Sequence, residues 1–225
     1  MEMRFKRLTL LCGHYGSGKT NIAVNLALEL RKQREKVALA DLDIVNPYFR
    51  AKDSAALLES RGIRCISSAF ANSNVDLPAL PQELYALTDD RSLSAVLDIG
   101  GDERGALALG RLAPAINEEN DYEMYLVINR CRPLTPDAAS TVEVMREIEN
   151  ACRIRFTGIV NNTNLGAETT PDTVLASLPY ARETAALAGL PLVMTTAEQA
   201  LCPSLAGKIE NLFPLVLKKP SYGEI

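Results

Sequence analysis

No two of the five cysteines have the close sequence spacing of a metal-binding or redox pair. They lie at 12, 65, 131, 152 and 202, and the absence of any Cys-x-x-Cys spacing excludes a zinc knuckle or a thioredoxin-like dithiol. An odd, scattered set fits reduced thiols in the cytosol, several of them on apolar strands. Long hydrophobic runs are missing as well. Arg4, Lys6 and Arg7 precede an apolar stretch that ends at Cys12, too short for a signal-peptide core, and no run nears the roughly 18 residues of a membrane span. The expectation is a cytoplasmic chain with no membrane partner. Basic charge is in deficit: the formal net charge is −4 and no dense basic patch occurs, so no nucleic-acid partner is indicated. Repeats, low-complexity tracts and obvious linkers are absent too. The 225 residues therefore read as one domain, 1–225, long enough to bury about 70% of its unfolded surface without a staple.

What the chain does contain is a rhythm of short apolar runs followed by longer helical patterns. Strands are expected at 8–12, 37–40, 63–66, 94–99, 125–128, 156–160 and 192–194. Helices are expected over 20–35, 51–60, 81–87, about 105–116, 135–150, 171–188 and 204–212, with a polar tail from Lys218. This alternation predicts right-handed βαβ units around a mainly parallel sheet flanked by helices, a three-layer α/β/α fold. In such sheets ligands bind beyond the carboxyl ends of the strands.

The first strand runs directly into Gly13-His14-Tyr15-Gly16-Ser17-Gly18-Lys19-Thr20, which matches the phosphate-loop pattern G-x-x-x-x-G-K-[ST]. Glycines let the backbone curl so that successive N–H groups face phosphate oxygens. Lys19 supplies a charge to the β- and γ-phosphates, Thr20 offers a hydroxyl to Mg²⁺, and the following helix adds its positive N-terminus. A chance match in a chain of this length arises in roughly one case in a hundred. Gly13, Tyr15, Gly16, Ser17, Gly18, Lys19, Thr20 and the adjoining Asn21 form the candidate nucleotide-binding set, with ATP as the expected nucleotide.

Phosphoryl chemistry also needs carboxylates for the metal and the attacking group. Two strand ends supply them: Asp41-Leu42-Asp43, and Asp98-Ile99-Gly100-Gly101. Alternate residues of an extended chain point the same way, so Asp41 and Asp43 leave one strand end together. Asp98 closes an apolar strand, where a lone carboxylate is costly without a cation. The alternative is that these aspartates cap turns.

The order of phosphate loop, Asp-x-Asp and Asp-x-x-Gly resembles the MinD–ParA–Mrp branch of P-loop ATPases, kin to nitrogenase iron protein. Leu42-Asp43-Ile44-Val45-Asn46-Pro47 is similar to the Asp-Ile-x-x-Pro segment of Mrp-type members. The resemblance runs from Leu8 to about Leu201. It implies that Thr20, Asp41 and Asp98 serve the metal, Asp41 by holding water on Mg²⁺ and Asp98 as the Walker B carboxylate. It also implies that Asp43 orients the attacking water, with Lys19 and Asp43 as the catalytic pair, and that Gly101 senses the γ-phosphate. Gly158-Ile159-Val160-Asn161-Asn162 resembles the family strand whose last asparagine, here Asn162, reads adenine, although Asn161 and Asn162 equally suit a turn. Residues 195–199 would lie beside the base.

The departures matter as much. The branch usually carries a lysine after the first loop glycine, which reaches a dimer partner's nucleotide; this chain has His14, its only histidine. A stable ATP-sandwich dimer is therefore not expected without a partner. The Cys-x-x-Cys of Mrp-type carriers is missing, and the apolar-then-basic segment 209–219 contains Pro214, which breaks a membrane helix and favours docking on the core. The expected function is a slow, Mg²⁺-dependent ATPase or ATP switch; no arginine finger is assigned, and Arg104, the one candidate, reads more simply as a solvated arginine at a helix start. Two alternatives stay open. One is a small-molecule kinase or ATP-dependent ligase related to dethiobiotin and cobyrinic-acid synthetases, with an acceptor pocket from 46–50 and 67–74. The other is a non-enzymatic module that ATP stabilises for an unknown protein or small-molecule partner. GTP is disfavoured because no strand is followed by Asn-Lys-x-Asp.

Overall fold

The computed structural model describes residues 4–42, 55–67, 82–100 and 103–216. The strands are β1 Leu8–Cys12, β2 Val37–Leu42, β3 Ile63–Ser67, β4 Ser94–Ile99, β5 Tyr122–Ile128, β6 Gly158–Asn161, β7 Leu192–Glu198 and β8 Leu212–Leu215. They form one sheet in the order β3-β2-β4-β1-β5-β6-β7-β8, and every pairing is parallel. Every residue of β1, β2 and β4 is buried. That is why these strands read as continuous apolar runs rather than alternations.

The helices are α1 Lys19–Gln33, α2 Ala55–Ser60, α3 Gln82–Asp89, α4 Glu103–Gly110, α5 Ala113–Glu119, α6 Ala138–Cys152, α7 Pro171–Ala176, α8 Leu178–Ala188 and α9 Cys202–Leu205. They cover both faces. Leu8, Leu10 and Cys12 of β1 join one core cluster with Leu109 of α4, Ile116 of α5, Met145 of α6 and Ala181 of α8. Leu11, one step along the same strand, joins the opposite cluster with Ile22, Leu26 and Leu30 of α1 and Leu58 of α2. This two-residue alternation is what makes the fold three layers. No helix among the described residues is long and apolar enough to cross a membrane.

Three expected helices differ from the observed ones. The stretch 105–116 is two helices, α4 and α5, and 171–188 is also two, α7 and α8. In both cases a proline sits in the first turn of the second helix, Pro114 in α5 and Pro179 in α8. A proline ring there clashes with the carbonyl four residues back, so one continuous helix cannot pass. The helix expected over 204–212 is only α9, and residues 212–215 instead add the eighth strand, β8. Pro214 sits opposite Ala197 in the β7–β8 register. An edge strand tolerates it because one side of that strand has no ladder to feed. The segment does dock on the core, as a strand: Leu215 is buried in the α1-side cluster. The polar tail from Lys218 and residues 51–54 lie outside the described residues.

The chain leaves β1 towards β2 on one side, and β4 to β5 carries it across β1 to the other. The loop after β1 thus occupies the point where the connections diverge, the position at which open α/β sheets build their sites. The opposite end of the sheet is fastened by Arg7, 5% exposed. Its Nη1 donates to the Leu87 and Leu93 carbonyls, both at 2.9 Å. Its Nε and Nη2 donate to the two carboxylate oxygens of Glu119. One guanidinium therefore ties α3, the entry to β4 and the end of α5 to β1.

The Arg7 hydrogen bonds hold the Glu119 carboxyl below its ordinary value of 4.5, against a smaller opposing effect of burial. A depressed folded pKa means that the stabilisation is complete above 4.5 and fades as pH falls through the folded value. Glu119→Gln is expected to lower stability at pH 7 by about 3 kcal/mol. The gap to wild type should close on acidification below about pH 4, read by urea midpoints across pH. A gap that stays constant down to pH 3 would contradict the ionic role.

Candidate functional site

The loop after β1 depends on two glycines for its path. Gly13 has φ 149°, and a Cβ there would lie 2.3 Å from the Val127 carbonyl oxygen of β5. Gly18 has φ 90°, and a Cβ there would lie 2.2 Å from Asn162 Nδ2. No other residue type allows the chain to start against β5 and end against Asn162. Ser17 N–H donates to His14 O at 3.1 Å, closing the curl. Lys19 is buried and folds back along the loop, its Nζ donating to Gly13 O at 2.9 Å and His14 O at 3.3 Å. Helix α1 opens from Gly18 with no side-chain cap and no acidic residue in its first turn. Its leading N–H groups and the positive end of its dipole are therefore directed at the loop rather than satisfied by the chain's own side chains.

The carboxylates assemble one strand over. Thr20 Oγ1 donates to Asp98 Oδ2 at 2.6 Å, joining α1 to β4. Asp41 and Asp98 are register partners on β2 and β4, and both are buried, Asp98 at 1% exposure. The structure thus gathers Thr20, Asp41 and Asp98 at neighbouring strand ends, while Asp43 and Gly101 lie outside the described residues. A hydroxyl and carboxylates are hard oxygen donors. Mg²⁺ takes one or two such protein ligands together with phosphate oxygens and waters, so the set fits that ion. Among the described residues no group of three or more histidine, cysteine or carboxylate ligands occurs. A metal held here would complete its shell with water or phosphate oxygens. Cys12, which ends β1, is not a reactive group: burial pushes its thiol well up, Cys152 and Asp98 add to this, and Lys19 opposes it less strongly.

On the other flank of the loop lies a cavity of about 290 Å³, lined by Tyr15, Lys19, Thr20, Asn21 and Asn162 together with residues of the β5–α6, β6–α7 and β7 ends. The two asparagines after β6 separate in role. Asn161 donates to Ser177 Oγ at 2.8 Å and accepts from the Thr163 N–H and hydroxyl, so it is locked into the turn. Asn162 faces the cavity. Its Nδ2 donates to Ser17 O at 2.6 Å, and its Oδ1 accepts from Thr196 Oγ1 at 2.5 Å, stapling the phosphate loop to β7. Within the stretch 195–199, Thr196, Ala197 and Glu198 reach the cavity.

His14 is half-buried with Nδ1 3.1 Å from Tyr15 O, and it is not among the cavity-lining residues. Tyr15 is 56% exposed at the rim. Sequence reading missed Arg132, Thr163, Asn164 and Thr169, which line the cavity from two loops far along the chain. Only the positions of those loops, after β5 and β6, pointed to them.

A family model of the CobQ/CobB/MinD/ParA nucleotide-binding domain matches residues 11–187, which span the loop, the carboxylates and Asn162. No curated protein sequence matches the chain. Among solved structures, the signal recognition particle 54 kDa protein from Aeropyrum pernix K1, in complex with GDP, is similar at 20% identity and a TM-score of 0.53, covering 85% of this chain and 41% of that one. FtsY from Mycoplasma mycoides is similar at 16% identity and 0.55, covering 87% and 61%. The cell division protein FtsY from Thermotoga maritima is similar at 19% identity and 0.51, covering 87% and 62%. The chain spans less than two thirds of the length of each of these proteins, and the likeness is one of fold.

The Asn162 staple predicts a difference between two substitutions. Asn162→Ala leaves the Ser17 carbonyl unpaired and the Thr196 hydroxyl with only its 3.4 Å bond to the Asn161 carbonyl, and is expected to lower stability by about 2 kcal/mol, read as a shifted urea midpoint with unchanged slope. Asn162→Asp keeps the acceptor for Thr196, loses the donor to Ser17 and sets a carboxylate against the phosphate loop. Nucleotide binding should therefore weaken more in Asn162→Asp than in Asn162→Ala. Equal binding by the two variants would contradict the staple.

Proposed function

We propose a function from one premise, that the chain belongs to the CobQ/CobB/MinD/ParA nucleotide-binding family: its site is a Mg²⁺-dependent ATP switch with slow hydrolysis. The observation that carries this reading is a convergence. The phosphate loop after β1, Asp41 at the end of β2 and Asp98 at the end of β4 occupy three adjacent strand ends, and a cavity adjoins the loop on the opposite flank. This arrangement supports a reading in which phosphates, metal and base take separate, contiguous places.

In this reading the loop N–H groups and the α1 N-terminus hold the phosphate chain, and Lys19 neutralises the β- and γ-phosphates. Thr20 and Asp98 hold the metal, and Asp41 holds water in its shell. When bound, Mg²⁺ offsets charge on the β- and γ-phosphate oxygens. Asp43 orients the attacking water, and Gly101 senses the γ-phosphate. In this reading catalysis is positioning plus electrostatic stabilisation. The base enters beside Asn162. Adenine is favoured because Asn162 is followed by Thr163, Asn164 and Leu165. Leu165 is 50% exposed and carries no carboxylate to pair with the amino edge of guanine. The segments assigned to an acceptor pocket, 46–50 and 67–74, lie outside the described residues apart from Ser67. The kinase or ligase alternative therefore has no observation of its own, and neither does the non-enzymatic module.

ATP with Mg²⁺ is expected to bind in the micromolar range, about −8 kcal/mol, with GTP at least about tenfold weaker. Calorimetry giving equal or tighter GTP binding would overturn the base assignment. Lys19→Ala is expected to weaken ATP binding, whereas Asp43→Ala should bind ATP and lose turnover; wild-type hydrolysis by Asp43→Ala removes its catalytic role. Position 14 also lacks the permanent charge with which the family's lysine reaches a second nucleotide. Asp43→Ala loaded with ATP and Mg²⁺ should therefore remain monomeric in light scattering near pH 8, and a full shift to dimer there would refute this.

A further inference from the structure

One cation at the site has no part in the reading above. Arg132 enters from the β5–α6 loop, and its guanidinium lies across the phosphate loop. A methyl group placed on Gly16 would come within 3.2 Å of its Cζ and Nε. The same side chain lines the cavity with Tyr15, Lys19 and Asn162. The backbone beneath it is a built turn: Arg132 N–H donates to Asn129 O at 3.1 Å, and Thr135 N–H donates to Arg132 O at 3.2 Å. Asn129 Oδ1 accepts from Cys131 N–H at 3.0 Å and from Asn164 N–H at 3.4 Å, which fixes the turn to the segment after β6. Pro133 follows and restricts the chain further.

Among the described residues no group accounts for this side chain. Nε is enclosed and makes no hydrogen bond to the described residues, and no ion pair among them includes Arg132. A guanidinium keeps its charge at any working pH, so enclosing Nε without an acceptor costs free energy that a spacer such as leucine or methionine would avoid. Arg130, on the same loop, shows the ordinary alternative: it is exposed and donates to the Ala176 carbonyl at 3.2 Å. The planar fork of arginine matches phosphate oxygens two at a time, and the phosphate loop is the surface it covers.

We infer that Arg132 is a second phosphate-binding cation supplied by this chain to its own site, contacting the phosphate chain of a bound nucleotide across Gly16. The inference rests on nucleotide binding at the loop and not on which base is bound. It gives the site, within one chain, the kind of charge that other phosphoryl-transfer sites receive from a partner protein.

The test compares wild type with Arg132→Lys, which keeps the charge, and Arg132→Met, which keeps the packing. ATP and GTP affinities, each with Mg²⁺, are measured by calorimetry at low and high salt, and urea midpoints without nucleotide check folding. Arg132→Met is expected to bind triphosphate about tenfold more weakly, with a shallower salt dependence, while Arg132→Lys keeps most of both. The loss should be the same for either nucleotide. Wild-type affinity in Arg132→Met overturns the inference, and so does an equal loss in both variants with unchanged salt dependence, which marks a packing role. Should Arg132→Met not fold, Arg132→Gln replaces it in the same comparison. A wild type that prefers GTP would refute the adenine assignment and leave the Arg132 comparison intact.

Discussion

The backbone N–H groups that open α1 must be left for an anion, and the rest of the structure is arranged around that requirement. A helix start normally satisfies its first N–H groups with a side-chain cap. Here Gly18 occupies the cap position and has no side chain to offer. Leaving such groups open is tolerable only if the surrounding loop is rigid, because a flexible one would turn them towards its own carbonyls. Rigidity comes from outside the loop. Lys19 ties back to its beginning, Asn162 holds its middle to β7, and Thr20 is fastened to Asp98. The loop is thus held from β4, β6 and β7 at once.

The two ends of the sheet solve opposite problems. At the amino end Arg7 turns four of its five N–H groups to Glu119 and to the Leu87 and Leu93 carbonyls. At the carboxyl end polar groups gather with some of their capacity directed into the cavity: the buried Lys19 and Asn162 and the half-buried Arg132 all line it. Arg7 has a carboxylate partner within the fold, whereas Arg132 lies against the phosphate loop with no ion-pair partner among the described residues. The contrast between Arg7 and Arg132 follows from their partners alone.

Much of the fold was legible from the chain because buried parallel strands leave a simple mark. Leu8–Cys12 and Ser94–Ile99 read as unbroken apolar runs and are strands at those bounds. The helices were less legible where proline intervened. Pro114 and Pro179 break segments whose apolar periodicity continues across the break, so periodicity alone joined helices that the backbone cannot join. β8 was hidden for the opposite reason. Pro214 argues against a strand in the interior of a sheet, and its edge position, which removes the objection, is a property of the sheet and not of the segment.

The site divides along the same line. Residues 13–20, Asp41 and Asp98 could be named as candidates from the sequence because each is tied to a strand end that the chain itself announces, and the structure brings them to adjacent strand ends. The separation of Asn161 from Asn162 could not be read, since adjacent residues on a strand leave to opposite sides and only the sheet decides which side faces the ligand. Arg132 could not be read either. Its approach to Gly16 depends on β5 lying beside β1, a pairing of segments more than a hundred residues apart in the chain. The sequence by itself determined the phosphate loop, its carboxylates and the layered fold, because these follow from local backbone freedom and burial. Tertiary structure alone decided what stands over the loop, because that is set by which strands become neighbours.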